Sequence, residues 1–340
     1  MARPVILSAA KRAVIFCVPN TIGLVAALKK EAGAAPEMSR IEPFSKVIMP
    51  VPPRICASLK KNTPPVFTVT GPSMTIGGWP RTAEPVHPYT TAETMDAGWC
   101  WQIEHEHFIN RGYVFSSAFL EDDAARAELL RKNPKIAATG HEPRIVRFRS
   151  GRYARNWVGN VVAIGNANGF VEPLEATAIS TLIYAMQVLT EALREGHRTG
   201  PAPTLRETCN RLVADIWTET RDFLAMHYRF NTRLDTPFWQ HTRAATPLRT
   251  VEALVAFYEE NGPSMLGRHT LGNHDNIFGL DGHLMMLLGN RVPHRAPHTP
   301  TEKELAIWKK HSADYAAQAA AGIALPHALA CIRHPAWRWG

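Results

Sequence analysis

Apolar and polar residues alternate in several short segments of the first half of the chain, and this pattern predicts strands. β-branched and aromatic residues favour strands over Trp99–Ile103 and Tyr113–Phe119, with polar residues between the two. Further strands are predicted over Arg144–Phe148 and Tyr153–Trp157. The run Val161–Ile164 is apolar throughout, which is typical of a strand that is buried on both faces.

The second half of the chain has mostly helical patterns. Thr301 followed by Glu304 matches a capping box, which predicts the start of one helix. The predicted helices are Glu121–Asn133, Glu175 to about Arg194, Leu205–Tyr228, Val251–Asn261, Thr301–Ala319 and Pro326–Ile332. Strands followed by helices predict an α+β or mixed α/β fold.

The same patterns suggest three parts. Residues 1–70 are interrupted by prolines and contain no glycine-rich nucleotide-binding pattern, so no domain type is assigned to them. Residues 71–200 form a β-rich part that ends in a strand, a turn and a long helix. Residues 201–340 form a helical C-terminal region.

Composition and charge narrow the class of protein. Hydrophobic residues make up 45% and charged residues 20% of the chain, as in globular proteins. The net charge is +8, but its arginines are scattered, and the densest group alternates with apolar residues. That group, which favours a solvated face or an anionic ligand over a nucleic acid, is Arg144, Arg147, Arg149, Arg152 and Arg155.

The cysteines and the apolar start of the chain bear on location. There are five cysteines, an odd number without a C-x-x-C pair, which favours reduced thiols in the cytoplasm: Cys17, Cys56, Cys100, Cys209 and Cys331. The apolar stretch Ala13–Leu28 is interrupted by Pro19 and Asn20 and is too short to span a bilayer. No membrane segment is therefore predicted.

A run of acidic residues and histidines, Glu104–His107, invites a metal site. On a strand His105 and His107 would share one face, and His87 is a candidate third ligand. Because no third ligand is fixed by spacing, an exposed polar loop is the preferred interpretation, and no metal is predicted.

The segment from Val161 to Glu175 has the pattern of a strand, a tight turn and the start of a helix. Glycine at 165 permits close approach of a ring or backbone, and Gly169 permits a left-handed turn. Pro173 and Glu175 suit the first turn of a helix. The unpaired N–H groups of that turn suit a halide or the electron-rich end of a reduced flavin. A connection without any ligand has the same pattern.

A resemblance to a known family favours the flavin interpretation. The segment Trp157–Thr177 closely resembles the C-terminal part of flavin-dependent tryptophan halogenases. Gly98–Ile103 is similar to the W-x-W-x-I-P signature of that family, with Glu104 in place of the proline, and Arg111–Ser117 is similar to the strand that follows. Three further segments are similar to a helical motif of the family: Arg221–Leu224, His227–Tyr228 and Asp235–Trp239. The likeness covers about residues 77–340.

The resemblance implies a role for several residues. Glu175 stands at the position of the glutamate that, with a lysine, activates or steers the oxidised halogen. The backbone of Thr177 and Ala178 stands at the halide site, with alanine where many members have glycine. Trp99 and Trp101 would separate substrate from flavin, although two core tryptophans would give the same pattern. The flavin-facing residues would be Gly165, Asn166, Gly169, Phe170 and Pro173.

The family also implies cofactors and partners. Reduced FAD, oxygen and chloride or bromide together give hypohalous acid, which passes through a tunnel to an aromatic substrate such as tryptophan or an indole. A separate flavin reductase supplies the FADH2 as a transient partner. A homodimer is left open, and neither nucleic acid nor a membrane is expected.

The N-terminal motifs of the family are not recognisable in this sequence. Members begin with G-x-G-x-x-G after a strand, followed later by the catalytic lysine, and residues 1–70 contain neither in a recognisable context. Two classes of function therefore remain. One is a halogenase, in an incomplete copy of the family's sequence, or an aromatic monooxygenase on the same flavin-monooxygenase-like sheet. The other is a non-catalytic remnant that binds an aromatic ligand or none.

Overall fold

A computed structural model of the chain describes residues 72–196, 201–273, 276–296 and 298–338. Its strands are β1 (Pro72–Pro80), β2 (Thr91–Met95), β3 (Gly98–Glu104), β4 (Phe108–Ser116), β5 (Arg144–Arg147), β6 (Gly151–Arg152), β7 (Trp157–Val158), β8 (Val161–Val162) and β9 (Gly169–Phe170). Its helices are α1 (Asp122–Lys132), α2 (Pro134–Ala138), α3 (Ala178–Glu195), α4 (Pro203–Phe230), α5 (Pro237–Ala245), α6 (Glu252–Asn261), α7 (Gly279–Gly289), α8 (Glu302–Ala320) and α9 (Leu325–Arg333). The mixed α+β class is thus confirmed.

Several expectations fall outside the described residues. These are the ones for residues 1–70, which include the apolar stretch Ala13–Leu28 and the thiols of Cys17 and Cys56. Among the described cysteines, Cys100 and Cys209 are buried free thiols and Cys331 is exposed.

Tertiary contacts divide the chain into two compact units. The described residues of the first, called the turn–helix unit, are 149–196, 201–225 and 276–277. The second, called the sheet unit, contains the described residues 72–148, 226–273, 278–296 and 298–338. Both units contain residues from either side of position 200.

A five-stranded antiparallel sheet in the order β2-β3-β4-β1-β5 forms the centre of the sheet unit. The strand predicted over Trp99–Ile103 is confirmed within β3. The next strand begins earlier and ends earlier than the predicted Tyr113–Phe119. Its polar start joins the sheet because the buried Arg111 is paired, its Nη2 lying 2.5 Å from Glu93 Oε2. Pairing offsets the cost of burying a charge, which an alternation pattern does not register.

One face of this sheet carries the main hydrophobic core. Tyr113 and Phe115 of β4 pack with Leu129 of α1 and Ile136 of α2. Alternate residues of a strand share a face, so these two aromatic residues enter the core together. The Tyr113 hydroxyl accepts a hydrogen bond from Ala97 N at 2.9 Å, which satisfies its polar end. Burial in the same core raises the pKa of the Cys100 thiol to about 12.

Strand β1 was not predicted, because its buried positions are polar. Ser73 and Thr75 face the core side and are almost completely buried, whereas Met74 and Ile76 are half-buried on the other face. Met74 and Ile76 therefore lie on the opposite face from the core, whereas Trp79, near the end of the strand, packs against it. Polar residues at the first buried positions hide the strand from a search based on hydrophobic alternation.

The helical expectations hold better. The helix predicted over Glu121–Asn133 is α1, and α4, α6, α8 and α9 each lie within two residues of their predicted bounds. The capping box is confirmed: Glu304 N donates to Thr301 Oγ1 at 3.3 Å, and Thr301 N donates to Glu304 Oε2 at 2.8 Å. Helices α2, α5 and α7 were not predicted.

In the turn–helix unit the strands are shorter than expected. The predicted strand Val161–Ile164 is buried throughout, but its ladder with β7 covers only Val161–Val162, followed by one hydrogen bond from Ala163 N to Asn156 O at 2.8 Å. The strand predicted over Tyr153–Trp157 was wrong between its two ends: Tyr153 forms a single β-bridge, with its N–H donating to Asn168 O at 2.8 Å, and Trp157 belongs to β7. The long helix begins at Ala178 and not at Glu175, because Glu175 and Ala176 have left-handed backbone angles that interrupt it.

One described helical segment, Leu174–Glu195, is long and apolar enough to cross a membrane by length and composition alone. Helices α8 and α9 pass the same test only when joined, and they are bent by 59° at the break. Core helices of globular proteins also pass such a test, so these segments are weak evidence of a membrane span. That the protein lies outside membranes stays a prediction.

Candidate functional site

The turn between β8 and α3 is built from three short elements. Gly165 has a φ of +59° and opens a 3₁₀ turn over Gly165–Ala167. The chain then pairs as β9 with β6, where Gly169 lies opposite Arg152. A second 3₁₀ turn over Leu174–Ala176 leads into α3. Strand, turn and helix therefore follow in the predicted order within one unit.

The two glycines of the turn are explained by packing. A Cβ at Gly165 would lie 3.3 Å from Leu182 Cδ1. A Cβ at Gly169 would lie 2.9 Å from Arg152 Cβ and 3.0 Å from Trp217 Cε2. Side chains of the protein thus fill both directions, and neither glycine opens a cradle for a ring. Their roles in flavin binding stay predictions that would depend on backbone atoms.

The remaining residues predicted to face the flavin differ in exposure. Asn166 is exposed, Phe170 and Pro173 are half-buried, and Gly165 and Gly169 are buried. Burial lowers the pKa of Arg152, the residue opposite Gly169, despite the nearby carboxylate of Asp215.

Glu175 and Ala176 form the least usual backbone in the turn. Their φ angles are +62° and +48°, in the left-handed region that L-residues rarely adopt. Each such residue costs about 1–2 kcal/mol relative to a right-handed conformation. The pair turns the chain between Pro173 and Thr177 and leaves the Glu175 residue exposed. Strain of this kind is concentrated at functional sites, so it supports the role predicted for Glu175.

The two residues predicted for the halide site lie where α3 begins. Thr177 is the N-cap residue and Ala178 is the first residue of the helix. Neither backbone N–H donates a hydrogen bond within the part of the chain that the structure describes, whereas the Thr177 carbonyl accepts from Thr181 N at 2.9 Å. Unpaired N–H groups at a helix start attract anions, so the arrangement is compatible with a halide.

A buried asparagine, Asn210, holds the start of the β7–β8 hairpin. Asn210 of α4 accepts a hydrogen bond from Trp157 N at 2.8 Å and donates one to Trp157 O at 3.1 Å. Both polar groups of the β7 backbone at this position are thereby satisfied, which fixes the orientation of the hairpin. The sequence gives no signal for this contact, because Asn210 lies within a helical pattern 53 residues away.

The two tryptophans of the W-x-W segment lie in the sheet unit, on the face of β3 opposite the main core. Their ring centroids are 6.1 Å apart, with Trp99 buried and Trp101 half-buried. Trp101 covers Gly112 of β4, where a Cβ would lie 1.9 Å from two atoms of the indole ring. Trp99 Nε1 is buried without a hydrogen-bond partner among the described residues. A bound ligand or water would recover that bond.

A second motif of the sequence holds the turn before the W-x-W segment. Trp239 Nε1 donates a hydrogen bond to Met95 O at 2.7 Å, and Thr236 Oγ1 donates to Asp96 O at 2.5 Å. Thr236 also caps α5 by accepting from Trp239 N. The structure therefore brings together two segments that the sequence analysis had linked only by their order along the chain.

Glu104 is the centre of a polar cluster that the sequence analysis missed. Its carboxylate accepts hydrogen bonds from Arg81 Nη2 at 2.9 Å and Gln102 Nε2 at 2.9 Å, and it binds both the backbone and the ring of His87. Desolvation raises the pKa of Glu104, but the hydrogen bonds from His87 and Arg81 outweigh it and lower the pKa to about 2. Glu104, which stands where the family has a proline, thus holds the loop between β1 and β2 through its hydrogen bonds to Arg81 and His87.

The exposed polar loop predicted over Glu104–His107 is confirmed for His105, Glu106 and His107, which are exposed. It is wrong for Glu104, which ends β3 with a buried carboxylate. Among the described residues, no group of three histidines, cysteines or carboxylates could hold a metal ion.

Two arginines of the scattered basic group are paired with carboxylates. Arg147 Nη2 lies 2.6 Å from Asp122 Oδ2, and Arg155 Nη2 lies 2.8 Å from Glu207 Oε2. Part of the positive charge is thereby neutralised locally, which weakens the case for a continuous basic surface.

Comparisons with known proteins agree with the resemblance. The family model described as tryptophan halogenase matches residues 77–304. Tryptophan 7-halogenase RebH of Lentzea aerocolonigenes is 37% identical over 51% of this chain and 31% of its own length. Tryptophan 6-halogenase ThaL of Streptomyces albogriseolus is 34% identical over 52% of this chain and 33% of its own.

Solved structures give the same result. The tryptophan 5-halogenase MibH has a TM-score of 0.62 at 38% identity and aligns with 70% of this chain and 46% of its own. BrvH, a flavin-dependent halogenase from Brevundimonas sp. BAL3, has a TM-score of 0.66 at 26% identity, over 78% of this chain and 53% of its own. The chain spans about a third of the length of the first two relatives and about half of each of these structures. By sequence and by fold, the chain belongs to the tryptophan halogenase family.

Proposed function

We propose that this chain carries the substrate-side part of a flavin-dependent halogenase, with Glu175 as the catalytic carboxylate. The observation that carries the proposal is the left-handed pair Glu175–Ala176, placed directly before a helix whose first N–H groups have no described acceptor. A strained, exposed carboxylate beside an anion-attracting turn suits a reaction that handles a halide and an oxidised halogen.

The residues present fit one end of the FAD cofactor. The backbone N–H groups of Thr177 and Ala178 suit an anionic or electron-rich group, and Asn166, Phe170 and Pro173 border the same turn. The dinucleotide end has no G-x-G-x-x-G counterpart anywhere in the sequence. Reduced FAD, when bound, would supply the electrons that let oxygen oxidise chloride or bromide.

The chain's own residues would then act around that chemistry. Thr177 and Ala178 would hold the halide through backbone N–H groups. The Glu175 carboxylate would steer the oxidised halogen, by hydrogen bonding, towards the substrate carbon. Trp99 and Trp101 would limit the access of the aromatic substrate to the flavin, since both are large and stand on one face of β3.

The substrate class that we propose is tryptophan or another indole, by relation to the family. A flavin reductase would be the transient partner that delivers FADH2, and the protein would act in the cytoplasm. Reduced thiols fit that location, since Cys100 and Cys209 are buried and unpaired. Homodimer formation is compatible with this function but is not required by it.

A non-catalytic protein that binds an aromatic ligand is the second candidate. The buried Trp99 Nε1 without a described partner favours it, because a ligand that accepts a hydrogen bond from this indole needs no flavin. An aromatic monooxygenase is a further alternative, which would give hydroxylated and not halogenated product.

The test supplies the purified chain with reduced FAD from a reductase, oxygen, bromide or chloride, and tryptophan or indole. Mass spectrometry then measures halogenated and hydroxylated product for the wild type, Glu175→Gln and Glu195→Gln. Glu195 is the matched control, because it is an exposed glutamate at the other end of α3.

We expect halogenated product from the wild type and Glu195→Gln, and a loss of about a hundredfold or more in Glu175→Gln. No product from the wild type would reject the halogenase and favour the ligand-binding alternative. Equal product from both variants would retain the halogenase but reject the role of Glu175.

A further inference from the structure

Helix α8 is exposed along its whole length. Every residue of Glu302–Ala320 is exposed, and none of them is buried in a core. A helix of 19 residues that buries none of them gains little stability from packing. The family model ends at residue 304, so nearly all of α8 lies beyond the part of the chain that it matches. The family match therefore does not account for this helix, which would gain stability from a partner that covers it.

One face of α8 carries a largely apolar stripe. Its members follow each other at alternating intervals of three and four residues, so they occupy the a and d positions of a heptad and share one face. These residues, called the α8 stripe, are Leu305, Trp308, Ser312, Tyr315 and Ala319. Trp308 and Tyr315 are 66% and 67% exposed. Exposed apolar patches of this kind mark interaction sites.

The charges of α8 are balanced. Lys310 Nζ lies 2.8 Å from Asp314 Oδ2, one turn further along the helix. A helix that lies on an anionic lipid surface has an excess of lysine and arginine on its polar face. In α8 three basic residues stand against three acidic ones, namely Lys303, Lys309 and Lys310 against Glu302, Glu304 and Asp314. The balance favours a protein partner over a membrane.

The α8 stripe is complementary to itself when two copies run antiparallel. Its large residues Leu305 and Trp308 stand in the first half of the helix, and the small Ala319 stands near the end. With the two-fold axis midway between Ser312 and Tyr315, Trp308 of one copy faces Ala319 of the second. In the same register Ser312 of one copy faces Tyr315 of the second. Each of the four layers then joins a large side chain to a small one, as close packing requires.

Other arrangements of the same two helices are less favourable. A parallel pair would place the two Trp308 side chains against each other, and it would also align the two helix dipoles. An antiparallel pair shifted by one heptad would place the two copies of Lys309 side by side at the edge of the stripe. Like charges at such a position are destabilising. Size and charge therefore select one antiparallel register.

The area of the stripe is sufficient for a weak dimer. Full burial of an aromatic side chain removes about 150–250 Å² from water, and about two thirds of Trp308 and of Tyr315 is exposed. The four aromatic side chains of two copies therefore supply about 400–650 Å². Leu305, 43% exposed, and the alkyl part of Lys309 add to this. The total approaches the roughly 1,000 Å² that a transient protein interface needs.

We infer that α8 is the interface of a homodimer, in which two copies of the chain pair antiparallel through the α8 stripe. The interface is small, so the dimer is weak, with a Kd on the order of 10 μM. Its population therefore rises with protein concentration. The inference does not depend on the proposed halogenation.

Sedimentation velocity of the full chain, from about 1 to 200 μM, measures the dimer on both sides of this Kd. Trp308→Glu changes the stripe, and Ile307→Glu is its matched control, because Ile307 is 48% exposed on another face of α8. Ala319→Trp tests the register, and Ala317→Trp, away from the stripe, is its control. Because no residue of α8 is buried, circular dichroism should show the same fold in all four variants.

We expect the wild type, Ile307→Glu and Ala317→Trp to form the dimer with Kd values within about threefold of one another. Trp308→Glu should weaken it about tenfold or more, since a charge replaces a central aromatic residue. Ala319→Trp should weaken it about fivefold or more, because the added ring meets Trp308 of the second copy. Association through unspecific apolar contact would become tighter in this variant.

A wild type that stays monomeric up to the highest concentration would overturn the inference. If that monomer sediments with phosphatidylglycerol vesicles, the stripe binds a membrane surface and not a second copy. An equal loss in Trp308→Glu and Ile307→Glu would also overturn the inference, as would tighter association of Ala319→Trp.

Discussion

At the scale of single residues, backbone conformation at Glu175 and Ala176 distinguishes this turn from an ordinary helix start. Neither residue is a glycine or an asparagine, the two residue types that adopt left-handed φ and ψ angles most readily. An ordinary helix beginning at Glu175 would have avoided the strain, and its first N–H groups would also have lacked helical acceptors. The left-handed pair therefore lowers stability and leaves the Glu175 residue exposed in the turn before the helix.

Replacement of Ala176 by glycine should relieve part of this strain. Glycine adopts a φ of +48° without a steric penalty, so Ala176→Gly should raise the free energy of unfolding by about 0.5–1 kcal/mol. Chemical denaturation measures the change. The control Ala185→Gly, at a buried position within α3, should lower it by about 1 kcal/mol or more. Equal destabilisation by both changes would mean that the turn is unstrained.

The sequence predicted the position of Glu175 in the candidate site but not its backbone conformation, and it did not predict the role of Glu104. The acidic character of Glu175 and its motif could be read from the sequence, but its left-handed angle could not, because a single glutamate carries no conformational signal. Glu104 was noted only as a departure from a proline. Its role follows from Arg81, which lies 23 residues away along the chain and is brought near only by folding.

At the scale of elements, the antiparallel pair of β3 and β4 is what presents the two tryptophans. Trp101 lies over Gly112, and Trp99 lies opposite Val114 on the same face. A glycine opposite a large aromatic residue lets the ring lie flat against the sheet. The ring orientation therefore depends on the absence of a side chain in the neighbouring strand.

Gly112→Ala should disturb this arrangement, although alanine is ordinarily better than glycine in a strand. The added methyl group would lie 1.9 Å from the Trp101 ring, so the ring must move, at a cost of about 1–3 kcal/mol. Thermal unfolding and tryptophan fluorescence measure the loss and the ring displacement. Gly272→Ala, with open space around its Cβ position, should change stability by less than about 0.5 kcal/mol. An unshifted spectrum in Gly112→Ala would contradict this packing.

Elements with a regular apolar period were predicted well, and those stabilised by pairing were not. Helices α4 and α6 repeat apolar residues at helical spacing and were found within two residues of their bounds. The start of β4 depends on the ion pair between Arg111 and Glu93, and β1 places Thr75 on its buried face. Such contacts are set by neighbouring strands, so the local pattern does not reveal them.

At the scale of the whole molecule, the chain contains two units that hold different parts of the predicted site. The turn with Glu175 belongs to one unit and the pair of tryptophans to the other. The sequence motifs identified both parts in order, but the boundaries of the units follow tertiary contacts and not composition. The chain matches about a third of the length of RebH and ThaL, and no part of its sequence has the dinucleotide fingerprint G-x-G-x-x-G.

We predict that the purified chain does not retain FAD. Because its sequence lacks a dinucleotide fingerprint, only the isoalloxazine end should be recognised, so FAD and FMN should bind with equal and weak affinity, on the order of 100 μM or weaker. Flavin fluorescence anisotropy measures both. Yellow protein on purification, or FAD affinity more than about tenfold above that of FMN, would contradict this prediction.

The hydrogen bonds from Thr236 and Trp239 to the Asp96 and Met95 carbonyls also govern when the sheet unit can be completed during synthesis. The two partners of the Trp239 bond are 144 residues apart in the sequence. At about 5–20 residues per second, the ribosome needs many seconds to supply the second partner. Until then the turn before the W-x-W segment keeps two carbonyls hydrated. The turn between β2 and β3 can therefore gain these two hydrogen bonds only after α5 has been synthesised.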